Sequence, residues 1–365
     1  MTSVTLRTED LDYDLPEGLI ATSPEQPRDQ ARMMVLRREA DTIEHRRVCD
    51  LPEYLSRDDL LVMNDTSVVP ARVLGTRLES GGRIEGLFLD ELEQGRWRMM
   101  LKSNGKLREG IKIALGDESS TQTVIELIER EGAQWIVKLH EDASALDVLE
   151  RIGRTPLPPY IIRARGEQKG DDALDRSWYQ TVYADFSRRH SVAAPTAGLH
   201  FTPELLAKLD AKGIARTSVT LHVGPGTFKP VTAPTLEEHE MHWERYEVGV
   251  STLQRLTAFA ERREQRESTG ALIAIGTTSV RTLESLPESF DPVSAIQGET
   301  DLLIMPPYDF RFVDGLLTNF HLPRSTLLAL VGALVGLNRL KELYHEAIQQ
   351  GYRFYSYGDA MLILP

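Results

Sequence analysis

Between about Gly75 and Leu139 the apolar residues alternate: Trp97, Met99 and Leu101; Ile111, Ile113 and Leu115; Trp135, Val137 and Leu139. A period of two places every second side chain on one face, so these runs predict strands with a single buried face. Gly81-Gly82, Gly95, Asn104-Gly105, Gly116-Asp117 and Glu131-Gly132 punctuate them at the short intervals of an antiparallel barrel or sandwich. The flanking sequence has another texture. Leu60–Met63, Ser218–Val223, Ala271–Ile275, Asp301–Met305, Gly315–Phe320 and Met361–Leu364 read as strands. Pro203–Leu209, Ser251–Arg266, Thr278–Leu286, Leu327–Leu337 and Arg339–Gln350 read as helices, the first with Thr202 as N-cap and Gly213 past its end. Such alternation is the pattern of an α/β layer domain. Buried-strand runs stand near both ends of the chain, so the expected fold is a discontinuous α/β layer domain, residues 1–74 and 151–365, with an inserted antiparallel β-barrel domain at 75–150.

The length of 365 residues agrees with more than one folding unit. Lys and Arg total 42 against 55 Asp and Glu, a formal charge of −13, which excludes a general cationic coat for polyanions and confines any nucleic-acid surface to a local patch. The single cysteine, Cys49, cannot form an internal disulfide, a zinc-binding Cys cluster or an iron–sulfur site. The opening MTSVTLRTEDLDYDLP has neither the basic nor the apolar segment of an export signal, so a cytoplasmic location is expected. Leu327–Leu337 falls short of the roughly 20 apolar residues that span a bilayer, so no membrane association is expected. Its Gly332 and Gly336 read as letting a buried helix approach a sheet closely.

Polar and glycine-rich stretches crowd the predicted strand ends, where an open α/β sheet forms its ligand crevice. Asn64-Asp65-Thr66 follows a buried strand and is either a binding element or an Asx turn. In Ala193–Thr202, Thr196, Gly198 and His200 form a small-residue loop before a helix, suited to an anion or to a tight turn with His200 in the core. His222, Gly224, Gly226 and Thr227 follow another strand, but the dinucleotide-binding glycine pattern is incomplete and the Walker lysine spacing is absent. Gly276, Thr277, Thr278 and Ser279 enter a helix with Arg281 one turn in, an anion or ribose site whose bland alternative is N-capping by Thr277 or Thr278. Asn319 and His321 follow a further strand, and Tyr355–Ala360 contains Asp359. His239 and His242 have HxxH spacing, but without a third histidine ligand or an HExxH pattern no metal is expected.

Seven motifs in order, NDTSVVPAR, VAAPTAGLHFT, VTLHVGPGTFKPV, EEHEMHWERYEV, IAIGTTSVRTLES, LLTNFHLPRSTLLALVGA and YRFYSYGDAMLI, resemble the S-adenosylmethionine:tRNA ribosyltransferase-isomerase family of queuosine biosynthesis over nearly the whole chain. The resemblance implies transfer of the ribosyl portion of S-adenosylmethionine, as cosubstrate and without a metal, to 7-aminomethyl-7-deazaguanine at the tRNA wobble position. It also implies a two-domain α/β plus β-barrel architecture. A monomer is expected. Such chemistry needs a base, an acid for the departing adenine, and groups that hold hydroxyls. His200 or His222 is expected to transfer protons, with His321 a further candidate and Asp359 placed on the substrate amine or hydroxyls. Thr277, Thr278 and Arg281 are expected to hold the methionine carboxylate or ribose, and Thr196, Gly198, Gly224, Gly226, Thr227, Gly276, Ser279 and Asn319 complete the cosubstrate set. Asn64, Asp65, Arg72, Arg163 and Arg165 are expected at the tRNA or its base, within a basic patch that also includes Arg151, Arg154, Lys169, Arg188 and Arg189. The chain departs from the family's usual pattern at Pro306-Pro307-Tyr308 and at Arg188-Arg189-His190. A Rossmann-type methyltransferase and an RNA-binding module retaining the fold are the rival readings.

Overall fold

The computed structural model describes residues 5–116, 122–166, 170–224, 226 and 231–365. Strands β1 (Arg32–Arg37), β2 (Thr42–Arg47), β3 (Leu60–Asn64) and the short β4 (Ser67–Val68) come first. β5 (Arg72–Arg77), β6 (Arg83–Glu93), β7 (Arg96–Ser103), β8 (Lys112–Leu115), β9 (Thr123–Glu131) and β10 (Gln134–Leu139) follow. After them β11 (Arg189–Ser191) pairs with β4. β12 (Ala215–Leu221), β13 (Glu244–Val248), β14 (Leu272–Ile275), β15 (Ile296–Thr300), β16 (Gly315–Asn319) and β17 (Ala360–Leu364) complete the strands.

Nine strands form one sheet in the order β15-β13-β12-β3-β14-β16-β17-β1-β2. β12, β3, β14 and β16 run parallel at its centre, so their carboxyl ends share one edge. β17 is antiparallel to β16 with Ala360 opposite Asn319, which brings the start of β17 to that same edge. Both faces are covered. Leu60, Val62, Leu272 and Ala274 point into one core and Leu61, Met63, Ile273 and Ile275 into the other, which is why these strands read as continuous apolar runs.

The alternating segment is a closed antiparallel barrel, β10-β7-β6-β5-β8-β9. Trp97, Met99, Ile113, Leu115, Trp135 and Val137 fill its core, and the apolar face of α1 (Ala145–Ile152) packs onto it through Val148 and Leu149. Arg72 and Arg154 form an antiparallel bridge where the chain enters and leaves this unit. The expected start at residue 75 lies inside β5, the first barrel strand.

Further helices are α2 (Pro159–Arg165), α3 (Asp172–Trp178), α4 (Pro203–Lys212), α5 (Val250–Glu264), α6 (Thr277–Glu284), α7 (Thr326–Val335) and α8 (Leu337–Gln349). α4 begins and ends as its sequence dictates: Thr202 accepts a hydrogen bond from the Leu205 amide at 3.1 Å, and Gly213 takes a left-handed φ of 75°. Two expectations need correction. Residues 301–305 form no strand; β15 ends at Thr300, and the apolar run Leu302–Ile304 packs on the core as irregular chain while the Thr300 and Leu302 carbonyls accept from Arg281. The Gly332–Gly336 spacing joins two helices, not a helix and a sheet. A Cβ on Gly332 would lie 2.7 Å from Leu337 of α8, and Gly336, at φ 85°, separates α7 from α8.

Candidate active site at the strand ends

Asn64, the last residue of β3, is fully buried and ties three elements together. Its Oδ1 accepts from the Thr66 and Leu221 amides, and its Nδ2 donates to the Leu221 carbonyl and to Thr278 Oγ1, all at 3.1 Å. Both donors and both acceptor sites of the amide are thereby occupied. The expected contact of Asn64 with tRNA or its base finds no free hydrogen-bonding capacity. Asp65 accepts from Thr220 Oγ1 at 2.6 Å, and burial pushes its carboxyl above the usual range.

Thr66 Oγ1 lies 2.9 Å from His222 Nδ1, just past the end of β12. His190 meets the His222 ring edge-on, with centroids 5.3 Å apart. His200 closes the turn Thr196–His200 under the end of β16. Its Nε2 lies 3.1 Å from Asn319 Nδ2, which also donates to the Tyr355 carbonyl at 3.2 Å, while Asn319 Oδ1 accepts from Thr196 Oγ1. A carbonyl only accepts, so the Asn319 NH₂ must face Tyr355, and the same NH₂ donates to His200 Nε2. Neutral His200 therefore carries its proton on Nδ1 and has no free lone pair on Nε2. His321 is sealed in by Thr318, whose hydroxyl is 2.8 Å from Nε2, and its backbone bonds the Tyr344 and Tyr13 hydroxyls.

Burial lowers all three rings, His200 and His321 to about 3 and His222 to about 4, the last assisted by His190 and Arg188. All three are neutral near pH 7. Each value lies below the ordinary 6.5, so as pH falls below 6.5 the unfolded chain binds protons that the folded chain refuses. The stability held by the neutral rings is complete above pH 6.5 and is lost as pH falls toward 4 for His222 and toward 3 for His200 and His321. At pH 5 the expected loss is about 2 kcal/mol per ring. Urea unfolding at pH 7 and pH 5 measures it, and His321→Asn should flatten the difference by about one ring's share.

Gly276, at φ 86°, is the N-cap of α6, so Thr277 and Thr278 do not cap it. Among the described residues no side-chain cap accepts from the first amides of the helix. Ser279 Oγ donates to the Ile275 carbonyl at 2.7 Å, and Thr278 Oγ1 receives Asn64. Arg281 is buried against Glu244, whose Oε1 accepts from the Gly224 amide at 3.0 Å. The ring of His242 packs so tightly on Gly226 that a Cβ there would fall 1.9 Å from it. Thr227 lies outside the described residues, as does Lys169. Asp359 is 2% exposed and accepts from the Arg32 and Arg353 amides at 3.0 and 2.7 Å; burial pushes its carboxyl up.

Of the expected tRNA arginines, two are held in ion pairs. Arg72 pairs with Glu85 at 2.7 Å, Arg165 grips Asp175 with both terminal nitrogens at 2.7 and 2.8 Å, and Arg163 is exposed on α2. Among the described residues no group of three or more His, Cys, Asp or Glu side chains is placed to hold a metal ion. Thr66 and Tyr355 organise the site from within stretches read at the strand ends, though neither was given a role of its own; Glu244 was not read as a site residue, because its partner Arg281 lies 37 positions away.

A family model described as "Queuosine biosynthesis protein" matches residues 8–363. An S-adenosylmethionine:tRNA ribosyltransferase-isomerase of Anaeromyxobacter dehalogenans is 48% identical over 362 residues, covering 98% of this chain and 99% of that protein. One of Symbiobacterium thermophilum is 46% identical over 359 residues, covering 98% and 100%. The crystal structure of an S-adenosylmethionine tRNA ribosyltransferase from Thermotoga maritima is similar with a TM-score of 0.53 at 36% identity, covering 97% of this chain and 100% of that one. Near-complete coverage in both directions, on a sheet whose polar strand ends meet at one edge, places this chain in the queuosine biosynthesis family of S-adenosylmethionine:tRNA ribosyltransferase-isomerases.

Proposed function

We propose that this protein transfers and isomerises the ribosyl moiety of S-adenosylmethionine onto 7-aminomethyl-7-deazaguanine at the wobble position of tRNA, giving epoxyqueuosine-tRNA with release of adenine and methionine. The observation that carries the reading is full-length membership in the family named above. The sulfonium of the substrate acidifies the ribose 5′ carbon. A base takes that proton, adenine leaves, the amine of the modified base captures the opened fragment, and methionine departs as the epoxide closes. No oxidant or reductant enters the balance.

Of the three buried histidines, His222 suits the proton-accepting role. Its ring is only partly buried, and in the tautomer whose Nδ1–H donates to Thr66 the lone pair on Nε2 has no partner among the described residues. His200 suits a donor through Nδ1–H, held by Asn319. The first amides of α6, with Thr277 beside them, suit the methionine carboxylate or a ribose hydroxyl. Arg281 and Asp359 act through the backbone and the ion pair they hold, not on substrate. Asn64 is likewise a strut between strands.

We take the barrel as a unit inserted close to the expected 75–150 within 1–74 and 151–365, its neck marked by the Arg72–Arg154 bridge a few residues outside those bounds. No helix among the described residues is long and apolar enough to cross a membrane. Our reading is of a cytoplasmic monomer that requires no metal and meets tRNA through a confined basic surface on an acidic body.

The test is a chromatogram of small products after incubation with S-adenosylmethionine and precursor-bearing tRNA. Adenine with methionine is expected. S-adenosylhomocysteine would instead make the protein a methyltransferase, and an unconsumed cosubstrate would make it a binding module.

A further inference from the structure

Charge conservation in the proposed reaction requires a proton exit. The sulfonium charge of S-adenosylmethionine is carried by no product: methionine leaves with a neutral thioether, adenine leaves neutral, and the ammonium of the modified base becomes a secondary ammonium of the same charge. A proton must therefore reach solvent in every turnover. Adenine takes up the proton that the ammonium loses on becoming a nucleophile, so the one left over is the proton lifted from the ribose 5′ carbon. In the reading above that proton sits on His222, which is half-buried and must lose it before the next turnover.

The neighbours of His222 differ in what they can do with it. Thr66, 2.9 Å from Nδ1, is fully buried and leads inward. Arg188, Arg245 and Glu247 act on the ring through their charge. Guanidinium groups take up no proton, and Glu247 is committed to Arg188 at 3.1 Å and to Gln297 Nε2 at 2.9 Å. His190 stands exposed in β11, its ring edge-on to that of His222, with 79° between the planes and centroids 5.3 Å apart. The backbone builds this placement. Fully buried Ser191 accepts on Oγ from the Val223 amide at 3.0 Å, and the Val192 amide donates to the Val223 carbonyl at 3.2 Å, so the residues that follow the two histidines are tied together. An imidazole both accepts and releases a proton. At this separation one intervening water, or a turn of the exposed His190 side chain, brings a nitrogen of each ring within proton-transfer reach.

We propose that His190 is the proton exit of this site: the proton that His222 takes from the ribose 5′ carbon passes to the His190 ring, the bond to His222 breaking as the bond to His190 forms, and His190 gives it to solvent. The proposal rests on the functional reading above. It is tested by a single turnover of the full-length protein with S-adenosylmethionine and precursor-bearing tRNA in weak buffer, following adenine by chromatography and the released proton with a pH-indicator dye. In the parent the two should appear together. In His190→Ala the proton should lag adenine by about tenfold or more in time, multiple-turnover kcat should fall with KM for both substrates unchanged, and added imidazole should remove the lag. His190→Gln keeps the size of the side chain but relays no proton, so it should behave as the alanine variant, whereas a packing role would spare it. Proton release that tracks adenine in the variants as closely as in the parent, a normal glutamine variant, or a defect that imidazole does not relieve would overturn the exit. Absence of adenine release from the parent protein would instead overturn the functional reading itself.

Discussion

Replacing His222 with alanine is expected to lower single-turnover adenine release by about 10²–10⁴-fold, the usual worth of a positioned general base. His200, His222 and His321 share a depressed proton affinity, so proton affinity alone does not choose between them. Hydrogen bonding does. His200 Nε2 is occupied by the Asn319 amide and His321 is enclosed by Thr318 and two tyrosine hydroxyls, whereas His222 has one nitrogen on Thr66 and, among the described residues, no hydrogen bond at the other. Thr66→Val should lower the rate less, because it removes the group that orients the ring and leaves the ring itself, and Thr66→Ser should restore it. With His222 neutral above about pH 4, the rate should not show a limb at the ordinary histidine value of 6.5. A His222→Ala rate within threefold of the parent would remove the assignment, and a matching loss in His200→Ala alone would transfer it to that ring.

What the amino-acid order disclosed follows from how local each signal is. The barrel was legible because one-sided burial imprints a period of two on Trp97–Leu101 and Trp135–Leu139, and the central strands because burial on both faces leaves unbroken apolar runs. β15 was missed because an edge strand alternates between partly buried and exposed residues, while the apolar run just after it is buried without being a strand. The same locality governs the site. Residue types at the strand ends pointed to one edge of the sheet, which the strand directions bring together, but roles depend on partners no local pattern reveals: Asn64 meets Thr278, 214 positions on, and Asn319 meets His200, 119 positions back. Arg281 looked like a free fork at a helix entrance because its carboxylate, Glu244, lies on a different strand.

That pair yields the largest expected change in stability. Glu244→Leu leaves the Arg281 guanidinium buried without its counter-charge and should cost about 3–5 kcal/mol in urea unfolding, because removal of one partner of a buried pair exposes the full desolvation penalty of the other. Two carbonyls, of Leu302 and Thr300, still accept from the guanidinium at 3.2 and 3.4 Å, but neutral acceptors do not replace a carboxylate. Adding Arg281→Met to Glu244→Leu should recover most of the loss, since a well-packed apolar pair of similar volume is often as stable as a buried ion pair. The double variant also separates two roles that either single change confounds. If Arg281 serves only to brace β13 and α6, the double variant binds S-adenosylmethionine with a KM close to that of the parent. If Arg281 releases Glu244 and forks onto the methionine carboxylate, KM rises at least tenfold although stability has returned, and the arginine returns to the substrate-binding set.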